Sequence, residues 1–149
     1  MKIIAYTDGG ARGNPGPAAL GAVIQNEKGQ TIKKYSEFLG EFLTNNEAEY
    51  RAVIFVLKKI KALIGKDKAK QTEVEIRADS ELMVKQMNGE YKLSEPRIQE
   101  FFIEIWNLKI DYKLVTFKHI SREMNKEADA LVNEALDREE KQNSPNLFD

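Results

Sequence analysis

The chain contains no cysteine, which excludes a disulfide framework, a thiolate zinc site and a cysteine nucleophile. It has one histidine, His119, the only side chain whose unperturbed pKa falls near neutrality. An excess of either charge is also lacking. The 23 Lys and Arg against 24 Asp and Glu leave a net charge of −1, so no global basic field advertises a nucleic-acid partner, and any such partner must be held by local patches. Long apolar runs are absent as well. The opening MKIIAYTDGG carries an apolar run of only a few residues that ends at Asp8, unlike a signal peptide or a membrane span. These absences lead us to expect a soluble, cytoplasmic, monomeric protein. At 149 residues the chain has the size of one domain, which buries about two-thirds of its unfolded surface.

What is present begins with alternating and apolar segments. Lys2 to Thr7, Ala18 to Gln25 and Thr31 to Leu39 read as strands, the last two joined by Asn26-Glu27-Lys28-Gly29. Between the first two strands, GGARGNPGPA reads as a turn because of its glycines and prolines. Thr44 to Ile64 has helical periodicity, and Thr44-Asn45-Asn46-Glu47 fits a capping box. Val74 to Ala78 reads as a strand, Ser80 to Met87 as a helix, and Pro96 to Leu108 as a helix with proline in its first turn. Lys113 to His119 alternates as a strand, and Met124 to Lys141 forms the last helix. Strands separated by helices pair in parallel, whereas a meander is antiparallel. The predicted fold is therefore α/β: a mixed five-stranded sheet, with a three-strand antiparallel meander plus two parallel strands, flanked by helices. Residues 1–141 are expected to form the single domain, and 142–149 a loose tail.

Carboxylates occur where they are costly. Asp8 and Asp79 follow two apolar strands, IIAYT and VEIRA, at the sheet edge where open α/β sheets bind ligands. If those strands are adjacent and parallel, the two acids stand side by side and require a cation or a shared proton. Helix phase separates Glu47 from Glu49, which point about 200° apart. Glu49 projects from the arc of Ala48, Ala52, Val53, Val56, Ile60 and Leu63, whereas Glu47 lies opposite with Arg51, Lys58 and Lys61 and is explained by capping. In the last helix Asn125 and Asp129 line the edge of an arc made by Met124, Ala128, Leu131, Val132, Ala135 and Leu136, one turn apart. Any one acid could simply pair with a neighbouring Lys or Arg. Four together favour a hard cation, Mg²⁺ or Mn²⁺ rather than zinc. Two such ions, about 3.5 to 4 Å apart, can activate water and stabilise a leaving oxygen during phosphodiester hydrolysis.

The blocks YTDGGARGNPGPAALGA, TNNEAEYRA, RADSELMVKQMNGEYK and HISREMNKEADALVNEA, in that order, closely resemble the type 1 ribonuclease H family. The resemblance runs from the first strand to the last helix. It implies that Asp8, Glu49, Asp79 and Asp129 are the metal-binding catalytic acids of an endonuclease that cuts the RNA strand of an RNA/DNA hybrid. It also implies that His119 is the family's histidine on the flexible loop before the last helix, which moves protons or aids product release, and that Asn125 lies close to the scissile phosphate. Asn14, Asn45 and Asn46 match residues that detect the RNA 2′-hydroxyl, a group that can donate and accept. Gly9, Gly10 and Gly13 would let backbone approach the sugar edge, and Thr44 would contact a DNA-strand phosphate. Turn chemistry and helix capping account for several of the same residues.

Several departures stand out. Many relatives insert a basic, tryptophan-containing protrusion before the third helix, whereas this chain passes from Met87 through NGEYKLSE to Pro96. Its sole tryptophan, Trp106, falls in FFIEIWNL and is expected in the core. Glu81 replaces a family glutamine and would repel phosphate or need a metal nearby. Weaker, more salt-sensitive binding is expected. These departures motivate a second reading, the same chemistry on double-stranded RNA or RNA-DNA junctions. A third reading is a non-catalytic hybrid-binding module. Lys66, Lys68 and Lys70 read as a solvated loop. Asn146-Leu147-Phe148 resembles, incompletely, the short endings by which replication proteins dock on sliding clamps.

Overall fold

The computed structural model describes residues 1–143. Five strands form one sheet in the order β3-β2-β1-β4-β5, where β1 is Lys2–Ala11, β2 Gly16–Asn26, β3 Thr31–Leu43, β4 Glu73–Ala78 and β5 Leu114–His119. β1 pairs antiparallel with β2 and β2 with β3, while β1/β4 and β4/β5 are parallel. This is the predicted mixed sheet. The helices are α1 (Asn45–Ile64), α2 (Lys66–Ala69), α3 (Glu81–Met87), α4 (Pro96–Lys109) and α5 (Lys126–Asn143), with a 3₁₀ turn at Arg122–Asn125 before α5.

The larger core lies between the sheet and α1, built from Ile3, Ala5, Val53, Val56, Ile60, Val74 and Ile76 among others. On the opposite face α5 covers β2 and β3, where Ala19, Val132, Ala135 and Leu136 form a smaller apolar cluster with Phe38. The sheet is thus covered on both faces over β1 and β2, as parallel pairing at its centre demands.

The first helix starts as its sequence specifies. Thr44 accepts from the Glu47 N–H at 3.1 Å, and the Glu47 carboxylate accepts from the Thr44 N–H at 3.2 Å, completing the capping box. Glu47 also meets Arg97 at 3.4 Å. Thr44→Ala should therefore cost about 1 kcal/mol of stability, read as a lower urea midpoint with an unchanged slope. An unchanged midpoint would show that the cap contributes nothing.

Several expectations are corrected. The glycine-rich segment is largely strand: β1 continues through Gly9, Gly10 and Ala11 because β2 offers an antiparallel partner, and only residues 12–15 turn, closed by Arg12 N–H to the Pro17 carbonyl at 2.8 Å. β3 likewise runs to Leu43 rather than Leu39. Lys66 and Lys68 belong to α2, pinned by buried Ala69. Leu63, placed on the buried arc of α1, is half exposed because it lies in the last turn, near the end of the helix. Met124, placed on the arc of the last helix, sits on the 3₁₀ turn, whose different phase turns it to solvent. Trp106 is 57% exposed and so is not core: Ile98 and Ile105 are the side chains α4 fully buries, and the next position after Ile105 points away. Trp106 packs instead on Phe102 and under Lys109. The last helix extends through Asn143, taking in two residues expected in the tail, while Asn146-Leu147-Phe148 lie outside the described residues.

No helix among the described residues is long and apolar enough to cross a membrane. Between α3 and α4 lie only residues 88–95, with no helix, so the protrusion is absent. Gln86 holds this short segment by accepting from the buried Tyr50 hydroxyl at 2.9 Å and donating to the Lys92 carbonyl at 3.3 Å.

Candidate active site

The register of the sheet places the first two acids. β4 stops pairing with β1 at Thr7↔Ala78, so Asp8 and Asp79 are the first residues beyond the parallel pairing, although β1 itself continues along β2. Asp8 is therefore inside a strand and not at its end, yet it still stands at the edge predicted for ligands.

Glu49 arrives from α1, whose backbone lies almost against β1. A Cβ on Gly9 would fall 2.3 Å from the Ala48 carbonyl carbon and oxygen and 2.5 Å from the Glu49 nitrogen. Only glycine permits that approach. Glycine at this position thus serves helix-to-strand packing, whereas Gly10, where a Cβ would meet only Val132 at 3.5 Å, leaves room. A second close approach, at Gly21 against the Ala128 carbonyl, seats the start of α5 on β2.

Together these contacts bring one carboxylate oxygen each from Asp8, Glu49 and Asp79 within 4.8 Å of one another. Asp8 and Glu49 are buried. Burial, then repulsion from Asp79, raises the Asp8 carboxyl to about 7. Burial, then Asp8, raises the Glu49 carboxyl well above its usual range. Gly9 N–H donates to Asp8 at 3.0 Å, while Glu49 Oε2 is buried with no partner among the described residues. Three clustered acids with an orphaned buried oxygen are a donor set built for a hard cation. Asp129, in the first turn of α5, is exposed. It lies outside the tight trio but close enough to raise Asp8 further, and it lines the same cleft.

Asn125 is 1% exposed. Its amide donates to the Thr7 carbonyl and to Asp79 Oδ1, each at 2.9 Å, so it holds Asp79 from behind and does not line the cleft that the acids share. Its own Oδ1 lacks a partner among the described residues.

Gly9, Gly10, Asn14, Asn45 and Asn46 also line that cleft. They are also locally engaged: Asn45 Oδ1 accepts from Ala11 N–H at 2.8 Å, and Asn14 Oδ1 accepts from Asn45 N–H at 3.0 Å. The Asn46 side-chain oxygen is buried without a partner among the described residues. Thr44, serving as the cap, does not line the cleft, nor does Gly13, whose positive φ of 86° shapes the turn. His119 is the last residue of β5, level with Ala78, and not in a loop. It is exposed and outside the cleft lining. Glu81 pairs with Lys85 at 2.7 Å, and Lys85, with a lesser effect of His119, holds its carboxyl below the usual range.

Sequence reasoning missed Arg12, Ser80, Leu82, Arg122 and Asn133, all of which line the cleft. Arg122, 91% exposed at its side chain, reaches Asp79 Oδ2 at 3.7 Å. Asn133 was findable, since it stands four residues after Asp129 on one helix face.

With this geometry in place, likeness to known proteins becomes informative. A family model described as reverse transcriptase-like matches residues 6–135. The chain is 37% identical over 136 residues to Ribonuclease HI of Halobacterium salinarum, covering 91% of this chain and 65% of that one. It is 34% identical over 137 residues to a bifunctional protein of Mycobacterium tuberculosis, covering 92% of this chain but 36% of that one. The chain therefore spans about a third of the length of some curated relatives. Among solved structures, LC11-RNase H1 isolated from compost is 50% identical with a TM-score of 0.86, covering 93% of this chain and 97% of that one. The same protein in complex with an RNA/DNA hybrid is 48% identical with a TM-score of 0.86, covering 92% and 98%. RNase H1 of Halobacterium salinarum is 36% identical with a TM-score of 0.83, covering 93% and 99%. Sequence, fold and the shared span agree: the chain belongs to the type 1 ribonuclease H family, in the form that lacks the basic protrusion.

Proposed function

We propose that this chain is a metal-dependent endoribonuclease that hydrolyses the RNA strand of RNA/DNA hybrids, leaving 5′-phosphate and 3′-hydroxyl ends. The observation that carries this reading is the trio Asp8, Glu49 and Asp79, whose carboxylate oxygens lie within 4.8 Å of one another in a cleft bounded by Asn14, Asn45 and Asn46. The likeness to a ribonuclease H1 solved with an RNA/DNA hybrid supports the substrate.

The donor set fits Mg²⁺, with Mn²⁺ as a substitute, because hard oxygen ligands without thiolate or clustered imidazole suit these ions. Asp8, Glu49, Asp79 and Asp129 would hold two ions. When bound, they supply Lewis acidity toward water and toward the leaving 3′ oxygen. The remaining work belongs to side chains. Asn125 fixes the carboxylate of Asp79, so that acid is oriented before substrate arrives. Asn14, Asn45 and Asn46 border the path of the sugar edge, where amides can donate to and accept from the 2′-hydroxyl. His119, on the strand next to the one that carries Asp79 into the site, would accept or release a proton as product departs. Thr44 would touch the DNA-strand backbone beside the cap it forms.

The test is direct. A labelled hybrid incubated with Mg²⁺, Mn²⁺ or chelator should be cut only with metal, and matched double-stranded RNA and single-ribonucleotide duplexes should be cut far less. No hybrid cleavage by the wild type, with Asp79→Asn changing nothing, would remove the assignment. Equal cleavage of double-stranded RNA would favour the second substrate reading, which the missing protrusion motivates.

A further inference from the structure

Asp129 differs from the other three acids. Asp8 lies within β1, Asp79 directly follows β4 and Glu49 is packed inside, whereas Asp129 is exposed on the first turn of a helix. An exposed aspartate ordinarily samples several χ1 wells, which is a poor state for a group that must meet a ligand at a fixed point.

The structure supplies a restraint. From the turn between β1 and β2, Arg12 spans to α5, where Nη2 meets Asp137 Oδ1 at 2.7 Å and Nη1 meets Glu140 Oε1 at 2.8 Å. Nη2 also donates to Asn133 Oδ1 at 3.3 Å. A guanidinium can only donate, so the side of the Asn133 amide facing Arg12 must be its oxygen. The Asn133 NH₂ is thereby turned the other way, toward Asp129, which as a carboxylate can only accept. It lies 3.2 Å from the Asp129 carbonyl and 3.5 Å from Asp129 Oδ2. A reversed amide would set its NH₂ against the guanidinium and its oxygen against the carboxylate, both repulsive. Arg12 thus selects the one orientation of Asn133 that turns a donor toward Asp129.

An isolated exposed ion pair contributes little. Arg12 is different in having three acceptors on successive turns of one helix, so its guanidinium is fixed at several points. It also lies four residues after Asp8 on the same chain segment. The path Arg12, Asn133, Asp129 therefore ties the carboxylate on α5 to the strand that carries the first acid.

We infer that Arg12 and Asn133 are positioning residues for the reaction, acting through the side-chain geometry of Asp129 rather than on substrate. The inference rests on the reading of Asp129 as one of the acids that hold the cation. Partners that orient a ligand in this way are commonly worth about tenfold or more in metal affinity or activity.

The experiment uses the full chain with Arg12→Ala, Asn133→Leu and the double variant. Asn133 is exposed, so the nearly isosteric leucine removes the amide without unpacking a core. Two readouts are taken. Three-bond couplings of the Asp129 β protons, measured by NMR without metal or nucleic acid, should show one χ1 rotamer in the wild type and averaging in all three variants. The Mn²⁺ concentration for half-maximal hybrid cleavage should rise about tenfold in each single variant, and no further in the double variant, because both changes break one path. Unchanged couplings in the variants, or additive shifts in the double variant, would overturn the inference. A wild type that cuts no hybrid would instead defeat the proposed function, while the couplings would still decide whether Arg12 and Asn133 order Asp129.

Discussion

The Asp8→Asn variant should lose hybrid cleavage on the order of 10³-fold and yet, in chelator, should unfold at a higher temperature than the wild type. Both effects come from one cause. Asp8, Glu49 and Asp79 crowd their oxygens within 4.8 Å, and two of them are buried, an arrangement that favours a bound cation and penalises the protein without one. Asparagine keeps the shape and removes one charge. The penalty has a definite pH dependence. Asp8 is raised from 3.8 to about 7, first by burial and then by Asp79, and Glu49 is raised by burial and then by Asp8. A carboxyl with a raised folded-state pKa binds more protons folded than unfolded, so stability is fully retained below the unfolded value and is lost as pH rises through the folded one. Without metal, the wild type should therefore lose stability between pH 5 and 8, on the order of 3 kcal/mol, and Asp8→Asn should show a flatter profile, with the slope from the burial of Glu49 retained. Glu75, held low by Arg77 and Lys2 against its own burial, is ionised in both states across that window and does not contribute to the slope. Thermal unfolding in chelator at several pH values checks this. A wild-type midpoint that climbs from pH 5 to 8 would show that the trio is not strained.

Much of this site is legible in the sequence, and the reason is periodicity. Helix phase separates Glu49 from Glu47 by their opposite faces, and the structure buries the first and makes a cap of the second. The apolar runs before Asp8 and Asp79 locate both acids at the sheet edge, because strands that short and apolar belong at the sheet's centre. What could not be read depends on contacts between distant segments. Gly9 and Gly10 look like turn residues because local chemistry contains no trace of β2, whose pairing keeps them in a strand. Trp106 looks like core because FFIEIWNL is apolar but for Glu104 and Asn107, and only the placement of α4 decides which part of that broad apolar face is covered. Arg12 looks like one more surface cation until α5 is seen beside it. Asn125, grouped with Asp129 by helical spacing, is set apart from it by a 3₁₀ turn, which buries the amide behind Asp79.

The close approach at Gly9 gives the second large expectation, a contrast between neighbouring glycines. Gly9→Ala should destabilise the protein by about 3 kcal/mol or more, whereas Gly10→Ala should change stability by less than about 0.5 kcal/mol. At position 9 the added methyl would lie 2.3 Å from the Ala48 carbonyl atoms, far inside contact distance, and what it meets is helix backbone, which cannot rotate aside as a side chain does. Relief requires α1 to lift from β1, against a core that includes Val53, Val56 and Ile60. For the same reason Ala48→Gly should not rescue it, since the obstructing atoms remain. At position 10 the methyl meets Val132 Cγ1 at 3.5 Å, an ordinary contact. The functional consequence follows from the element that moves. α1 carries Glu49 as well as Asn45 and Asn46, so lifting it opens the acid trio and displaces two amides at once, and cleavage in Gly9→Ala should fall more than its folded fraction. Urea denaturation of both variants, together with cleavage measured at a temperature where Gly9→Ala is fully folded, separates the two effects. Equal midpoints for the two alanine variants would mean that α1 does not rest on β1 at this point, and that Glu49 owes its place in the site to something other than the glycine beneath it.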